Sequence, residues 1–383
     1  MSLRKLNLTQ RQKLIQDHSG ARLTHITKAR FGIEKIVSAN CENIIGTTQV
    51  PLGIAGPLKI VSHKKKYYLP LATTEGALVA SINRGCKAIT LSGGCKTYLE
   101  NKGTTRGPYL RVKNIAQAKE ITAWINQNFL SLQQTSAKSS AHLKLTTFNS
   151  QTFGRTLFLR FYFDTSEAMG MNMVTVATSR ILEKIQKNFP EVEYVVSGNF
   201  CIDKKPASSH LQQGRGKQVW AEVIVPKNVL QTTLKTTAQK VAAVVLNKDY
   251  LGSIASSSLG FNAHVANTVA ALFIATGQDP AHVVEASHAV VTAEANPDGS
   301  LYFSIFIPAL LVGTVGGGTN LPTQKEALQI LGFDQVHSGD SEQLAQIIAA
   351  AALAGELSLT SAIASNDLTK AHQQLGRKPH NHD

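Results

Sequence analysis

The chain has 383 residues, 43% of them hydrophobic and 17% charged, enough for two or three domains with real cores and unlike a disordered or collagen-like composition. Its formal net charge of +14 points to anionic partners, yet the basic residues are spread along the chain and aromatics make up only 6%. With no nucleic-acid module in view, phosphate-bearing small molecules are the expected partners, and nucleic acid is not.

Residues 1–40 mix polar and charged residues at helical spacing and predict a small helical arm. They open on "MSLRKLNLTQRQKLIQDHSG", which lacks the apolar core of a signal peptide. From Cys41 onward, "ENIIGTTQVPLGIAGPLKI" places Gly or Pro every few residues among β-branched ones, predicting short extended pieces and tight turns. "LATTEGALVASINRGCKA" carries Glu75 into an apolar segment, where desolvation would raise its pKa toward that of a general acid. The same letters also fit a surface carboxylate ahead of a helix.

Residues 107–196 are the most legible. "PYLRV" reads as a strand. Ala118, Ile121, Ile125 and Phe129 mark a helix, and "LKLTTF" and "RTLFLRFYFD" are strands. Val174, Ala177, Ile181 and Ile185 mark a second helix, and "VEYVVS" closes the unit. The βαββαβ order predicts a ferredoxin-like domain inserted into a larger domain made of residues 41–106 and 197–383, an α+β architecture overall. Methionines at the start of the second helix, in "SEAMGMNMVTVA", read as core filler.

"SGNFCIDKKPASS" sets Asp203, Lys204 and Lys205 between a turn signal and Pro206, which in isolation is a solvated turn. Long helices are predicted over "PKNVLQTTLKTTAQKVAAVVLNKDYLG" and "SEQLAQIIAAAALAGELSLTSAIAS". "ATGQDPAH" offers Asp279 either as a half-buried acid or as a helix-ending turn. The loop "LVGTVGGGTNL" could bring backbone N–H groups to a phosphate or ribose, although it matches neither the G-x-G-x-x-G nor the Walker pattern. The most apolar stretches, "LYFSIFIPALLVGTVGGG" and "LAQIIAAAALAGELSL", are interrupted short of the roughly 20 residues of a bilayer span. No membrane helix is expected, and the location expected is the cytoplasm. Cys41, Cys86, Cys95 and Cys201 lie far apart with no C-x-x-C pair, predicting free thiols and no metal site. A closing helix, capped by Ser365 or Asn366 and ended by Gly376, carries His372.

"ENIIGTTQVPLGIAGPL", "LATTEGALVASINRGCKAI", "TTRGP", "EAMGMNM", "VSGNFCIDKKPA", "GFNAHVAN", "GQDP", "GTVGGGTNL" and "GELSLTSAIAS" resemble, in order and spacing, the motifs of 3-hydroxy-3-methylglutaryl-CoA reductases, over approximately residues 40–377. The resemblance is to the soluble catalytic portion of the class shared by eukaryotes, archaea and some bacteria. It implies reduction of the thioester to mevalonate by two hydrides, with the inserted domain as a non-Rossmann nicotinamide-binding unit and the active site at a dimer interface. Lys204 would be the catalytic lysine, Glu75 and Asp279 its acidic partners, and His372 the proton donor. Ser81, Asn83, Arg84 and Lys235 would lie along the CoA, and Arg106, Ser197, Asp203, Lys205, Lys248 and Asn267 around the hydroxymethylglutaryl group. Glu167, Met169, Gly170, Met171 and Asn172, with Gly313, Gly316, Gly317 and Gly318, would line the cofactor. That cofactor is expected to be NADPH, with NADH as the alternative, and the assembly a homodimer or higher homo-oligomer. Three departures from the family pattern stand out. Glu167 replaces the usual Asp, "GSIASSSLGFNAH" is short and poor in glycine, and no arginine occupies residues 139–142.

Overall fold

In the computed structural model, which describes residues 6–19, 22, 24, 27–28 and 41–365, two hydrophobic cores share one eight-stranded sheet. An N-terminal helix α1 (Leu8–Ser19) precedes an antiparallel ribbon of β1 (Leu52–Lys59) and β2 (Lys66–Ala72), which lies outside that sheet. Helix α2 (Leu78–Leu91) leads to β3 (Lys96–Arg106), the strand that joins the two units. From Lys96 to Gly103 it pairs with β8 (Arg215–Val225) of the larger unit, and from Thr104 to Arg106 with β6 (Thr156–Asp164) of the smaller. The changeover requires glycine: Gly103 has φ +83°, and a Cβ there would sit 2.7 Å from the Phe163 carbonyl oxygen.

The smaller unit runs β4 (Tyr109–Arg111), α3 (Ile115–Gln127), α4 (Phe129–Ala137), β5 (Lys144–Phe153), β6, α5 (Met171–Asn188) and β7 (Glu193–Val195). Its strands lie in the order β7-β4-β6-β5, all antiparallel. Taken in sequence within the unit this is 4-1-3-2, the ferredoxin-like arrangement. The apolar positions at helical spacing are the ones inside: Ala118, Ile121, Ile125, Val174, Ala177, Ile181 and Ile185 all have no exposed surface. The first helix is divided, because Asn128 closes α3 and Phe129 opens α4 to stack on Phe148 of β5.

In the larger unit β8 pairs with β10 (Leu301–Leu310), which pairs in turn with β9 (Val290–Ala295). The helices are α6 (Ala238–Val244), α7 (Val265–Thr276), α8 (Pro322–Leu331) and α9 (Asp340–Ala364). Helix α9 is long and apolar enough to cross a membrane, but every residue from Ile347 to Ser358 is buried within the fold. It is the central helix of the core. Gly85 of α2 lets the two helices touch, since a Cβ there would fall 1.9 Å from the Ala354 carbonyl oxygen.

The single long helix expected over residues 226–252 is broken. Lys235 takes the left-handed conformation at φ 58°, and the Thr237 side chain then caps α6 by accepting from the Lys240 N–H. The stretches Leu230–Leu234 and Val245–Gly252 are wound as π-helix. His372 and the closing helix expected around it lie outside the described residues.

Candidate active site

The Asp203-Lys204-Lys205 segment lies between β7 and the short helix Ser209–Gln213, on a loop in which Asn199, Ile202 and Lys204 all have positive φ, between 56° and 63°. Three non-glycine residues in this region cost conformational energy unless neighbours hold them. Ile202 N–H bonds the Asn199 carbonyl at 2.9 Å, and at Lys204 the holding groups are buried charges. Glu285, fully buried, accepts the Lys204 backbone N–H at 2.8 Å and Arg215 Nη1 at 2.6 Å. Arg215, also fully buried, donates through Nη2 to Asp203 Oδ1 at 2.9 Å and through Nε to Thr105 Oγ1 at 2.9 Å. The left-handed turn of Lys204 is thus hydrogen-bonded from below by a carboxylate that is itself fixed by a guanidinium.

So placed, Lys204 directs Nζ to Asp279 Oδ2 at 2.6 Å, with both side chains partly open to solvent. Burial acts to raise the Asp279 carboxyl. The hydrogen bonds from Lys204 and the Ala281 N–H and the charges of His282 and Lys204 outweigh it, and the group lies below the usual carboxylate range. Glu285 shows the same balance: burial raises it, but His282, Arg215 and the Lys204 N–H lower it further. The result is a charge-fixed ammonium at the edge of a buried ionic network, the type of group that stabilises an oxyanion.

Glu75 belongs to a different cluster. Its Oε1 accepts Asn267 Nδ2 at 3.1 Å, beside a cleft of ≈ 450 Å³ formed by Pro51–Gly53 and the 73–80 segment. Ser81 and Arg84, on α2, bond to Ser358 of α9: Ser81 Oγ and Arg84 Nε reach its hydroxyl at 3.0 Å each, and Arg84 Nη2 its carbonyl at 2.6 Å. Asn83 accepts the Gly56 N–H. The "GFNAH" loop ahead of Asn267 is held by Glu356, fully buried in α9, whose two oxygens each accept at 2.7 Å from the Ala263 and His264 N–H groups. Burial pushes the Glu356 carboxyl up. Asp249, next to Lys248, is raised to about 6 by burial and by the charge of Glu356. Among the described residues no hydrogen bond or ion pair joins this cluster to the Lys204 cluster.

The two segments read as cofactor-lining do meet. Thr314 N–H donates to the Glu167 carbonyl at 2.8 Å, Ala168 bridges Val315, and a Cβ on Gly313 would lie 2.5 Å from Met169 N. Gln278 clamps Gly313 by two hydrogen bonds of 2.9 Å, so the residue preceding Asp279 ties the glycine loop to the ion pair. Gly170 has φ 85° at the start of α5, and Gly316 and Gly317 are exposed with open space where a Cβ would stand. Thr314 Oγ1 is buried without a partner. The exposed backbone of Gly316 and Gly317 leaves room for a ribose or phosphate group. The Glu167 carboxylate faces elsewhere: it accepts the Gly339 and Ser341 N–H groups at 2.8 and 2.6 Å and caps α9.

The remaining residues singled out are more dispersed. Ser197, Lys205 and Lys235 are exposed, as is Lys248 beside Asp249, and Met171 and Asn172 open α5. Lys205 Nζ turns back to the Asp203 carbonyl at 3.2 Å, and Arg106 Nε is buried without a partner. Arg215, Glu285 and His282 are the buried neighbours of the Lys204 loop that the sequence did not reveal. The only signals were charges ahead of or within short apolar runs, "GRGKQVW" and "HVVEA", which fit surface positions equally well. Ligand atoms of Asp203, His282 and Glu285 lie within 4.8 Å of one another, but Asp203 Oδ1 and Glu285 Oε1 already hold the Arg215 guanidinium.

The sequence pattern of the family described as hydroxymethylglutaryl-coenzyme A reductase matches residues 7–377. The 3-hydroxy-3-methylglutaryl-coenzyme A reductases of Pyrococcus horikoshii and Methanocaldococcus jannaschii are each 46% identical, covering 96% of this chain and 91% and 92% of their own lengths. Reductase 2 of Dictyostelium discoideum is 43% identical over 93% of this chain and 69% of its own. The fold is similar to that of the class II reductase of Streptococcus pneumoniae bound to NADPH, at TM-score 0.69 and 17% identity, covering 94% of this chain and 98% of that one. The chain therefore belongs to the hydroxymethylglutaryl-coenzyme A reductase family.

Proposed function

We propose that the protein reduces hydroxymethylglutaryl-CoA to mevalonate and free CoA with NADPH, in a dimer whose active site takes Lys204 and Asp279 from one chain and Glu75 from the other. The observation that carries this reading is the Lys204–Asp279 pair at 2.6 Å, on a strained loop held by buried charges and tied through Gln278 to the glycine loop. Two separate clusters in one chain, with Glu75 lining a cleft beside exposed Leu52, support the shared site.

A bound nicotinamide supplies the hydride. The chain's own groups handle charge and protons. Hydride arrival at the thioester carbonyl creates an oxyanion, which the Lys204 ammonium stabilises while Asp279 keeps that ammonium aimed. Glu75, hydrogen-bonded to Asn267, supplies the proton to oxygen, and His372 protonates the departing thiolate. Asp203 and Lys205 bind the hydroxyl and carboxylate ends of the acyl group, with Arg106, Ser197, Lys248 and Asn267 around it. Ser81, Asn83, Arg84 and Lys235 follow the CoA. Met169 to Asn172 and Gly313 to Gly318 hold the cofactor, while Glu167 orders that surface by capping α9. In place of an arginine, exposed His142 and Lys144, with the half-buried Ser139 and Ser140, are the groups left for a 2′-phosphate.

The test is a spectrophotometric assay with hydroxymethylglutaryl-CoA and each reduced nicotinamide. Oxidation of NADPH in preference to NADH supports the reading. A strong NADH preference would reassign residues 139–144 and favour a mevalonate-oxidising enzyme using NAD.

A further inference from the structure

His282 ends the short 3-10 turn Pro280–His282, three residues after Asp279, and is fully buried. Its two ring nitrogens differ. Nδ1 donates to Glu285, 3.1 Å from Oε1 and 3.3 Å from Oε2. Nε2 has no hydrogen-bond partner, although it lies 3.8 Å from Asp279 Oδ2 and 4.0 Å from Asp203 Oδ1. A histidine that merely filled the core would be expected to satisfy both nitrogens. This one aims its free nitrogen at the back of the carboxylate that orients Lys204.

The groups facing it come from every element around it: Asp203 and Lys204 from the loop, Arg215 from β8, and Asp279 and Glu285 from its own segment. Beyond Glu285 stand His210 and His288, their rings 5.4 Å apart, and burial lowers both, His210 to about 4. Three carboxylates against Lys204 and Arg215 leave one net negative charge when His282 is neutral, and none when it is an imidazolium. An oxyanion forming at Lys204 adds negative charge, and a site that starts neutral stabilises it better.

We propose that His282 is a positioning residue of the reductase, holding a proton behind Asp279 so that the Lys204–Asp279 pair stays ionised and aimed while the oxyanion forms. The inference rests on the functional reading above. Its test is the pH dependence of kcat at saturating substrate and cofactor, for wild type and for His282→Gln, which keeps hydrogen bonding but cannot change charge. Wild-type kcat should fall on the alkaline side as the imidazolium is lost. His282→Gln should lack that limb and turn over about tenfold more slowly at the wild-type optimum, with KM for the thioester within about twofold. Glu285→Gln, removing a carboxylate beside the imidazolium, should move the limb to lower pH, and it decides the matter should His282→Gln fail to fold. A wild-type kcat with no alkaline limb, a superimposable His282→Gln profile, or an unmoved limb in Glu285→Gln overturns the proposal. No thioester reduction by wild type at any pH would instead remove the functional reading, and this inference with it.

Discussion

The role proposed for Lys204 depends on its surroundings, the Asp279 carboxylate at its ammonium and the buried Glu285 under its backbone. Lys204→Met, nearly isosteric and uncharged, should lower kcat by on the order of a hundredfold or more and leave the thermal midpoint near that of wild type. A folded variant with near-normal turnover would take Lys204 out of its role. His372→Gln should slow thioester reduction strongly but largely spare added mevaldehyde, which has no thiolate to release. Equal loss of both activities would reassign that histidine. At this scale the sequence was only partly legible. Lys204, Asp279 and Glu75 were singled out through their motifs, since by spacing alone each fits a surface turn. Arg215, Glu285 and His282 escaped because burial of a charge is decided by residues far away in the chain: Arg215 and Glu285 are 70 positions apart and meet at 2.6 Å.

Elements with one apolar face and a local core were read well, elements shaped by distant contacts less so. The positions at spacings of three and four in α3 and α5 are buried as expected, because the ferredoxin-like unit packs those helices on its own sheet. β3 escaped, as "KTYLENKGTTR" shows no sustained alternation where it passes from one sheet region to the other. The break at Lys235 also escaped, although Thr237 ahead of an apolar run was a capping signal in plain sight. Two predictions belong here. Gly85→Ala should destabilise the fold by at least about 2 kcal/mol, because its methyl meets the Ala354 backbone rather than a movable side chain, and a denaturant titration measures it. Asp249, raised from 3.8 to about 6, takes up a proton more readily folded than unfolded. The folded state therefore binds more protons across that window, and stability falls as pH rises through it, by on the order of 2–3 kcal/mol. Thermal melts of Asp249→Asn should lack this fall, and parallel wild-type and variant curves would contradict it.

For the whole molecule, the proposed shared site draws Glu75 and Lys204 from different chains, so assembly would be a condition of activity. Glu75→Gln and Lys204→Met should each be inactive alone, whereas unfolding and refolding them together should restore up to about a quarter of wild-type activity, through mixed dimers holding one intact site. No recovery, or an active monomer by light scattering, would count against the shared site. The proposed double reduction at one thioester is read most directly from its stoichiometry: reduced nicotinamide oxidised against CoA thiol released, followed to completion with hydroxymethylglutaryl-CoA limiting. Two cofactor molecules should be consumed for each thiol released. A ratio of one, or thiol release without cofactor oxidation, would contradict it.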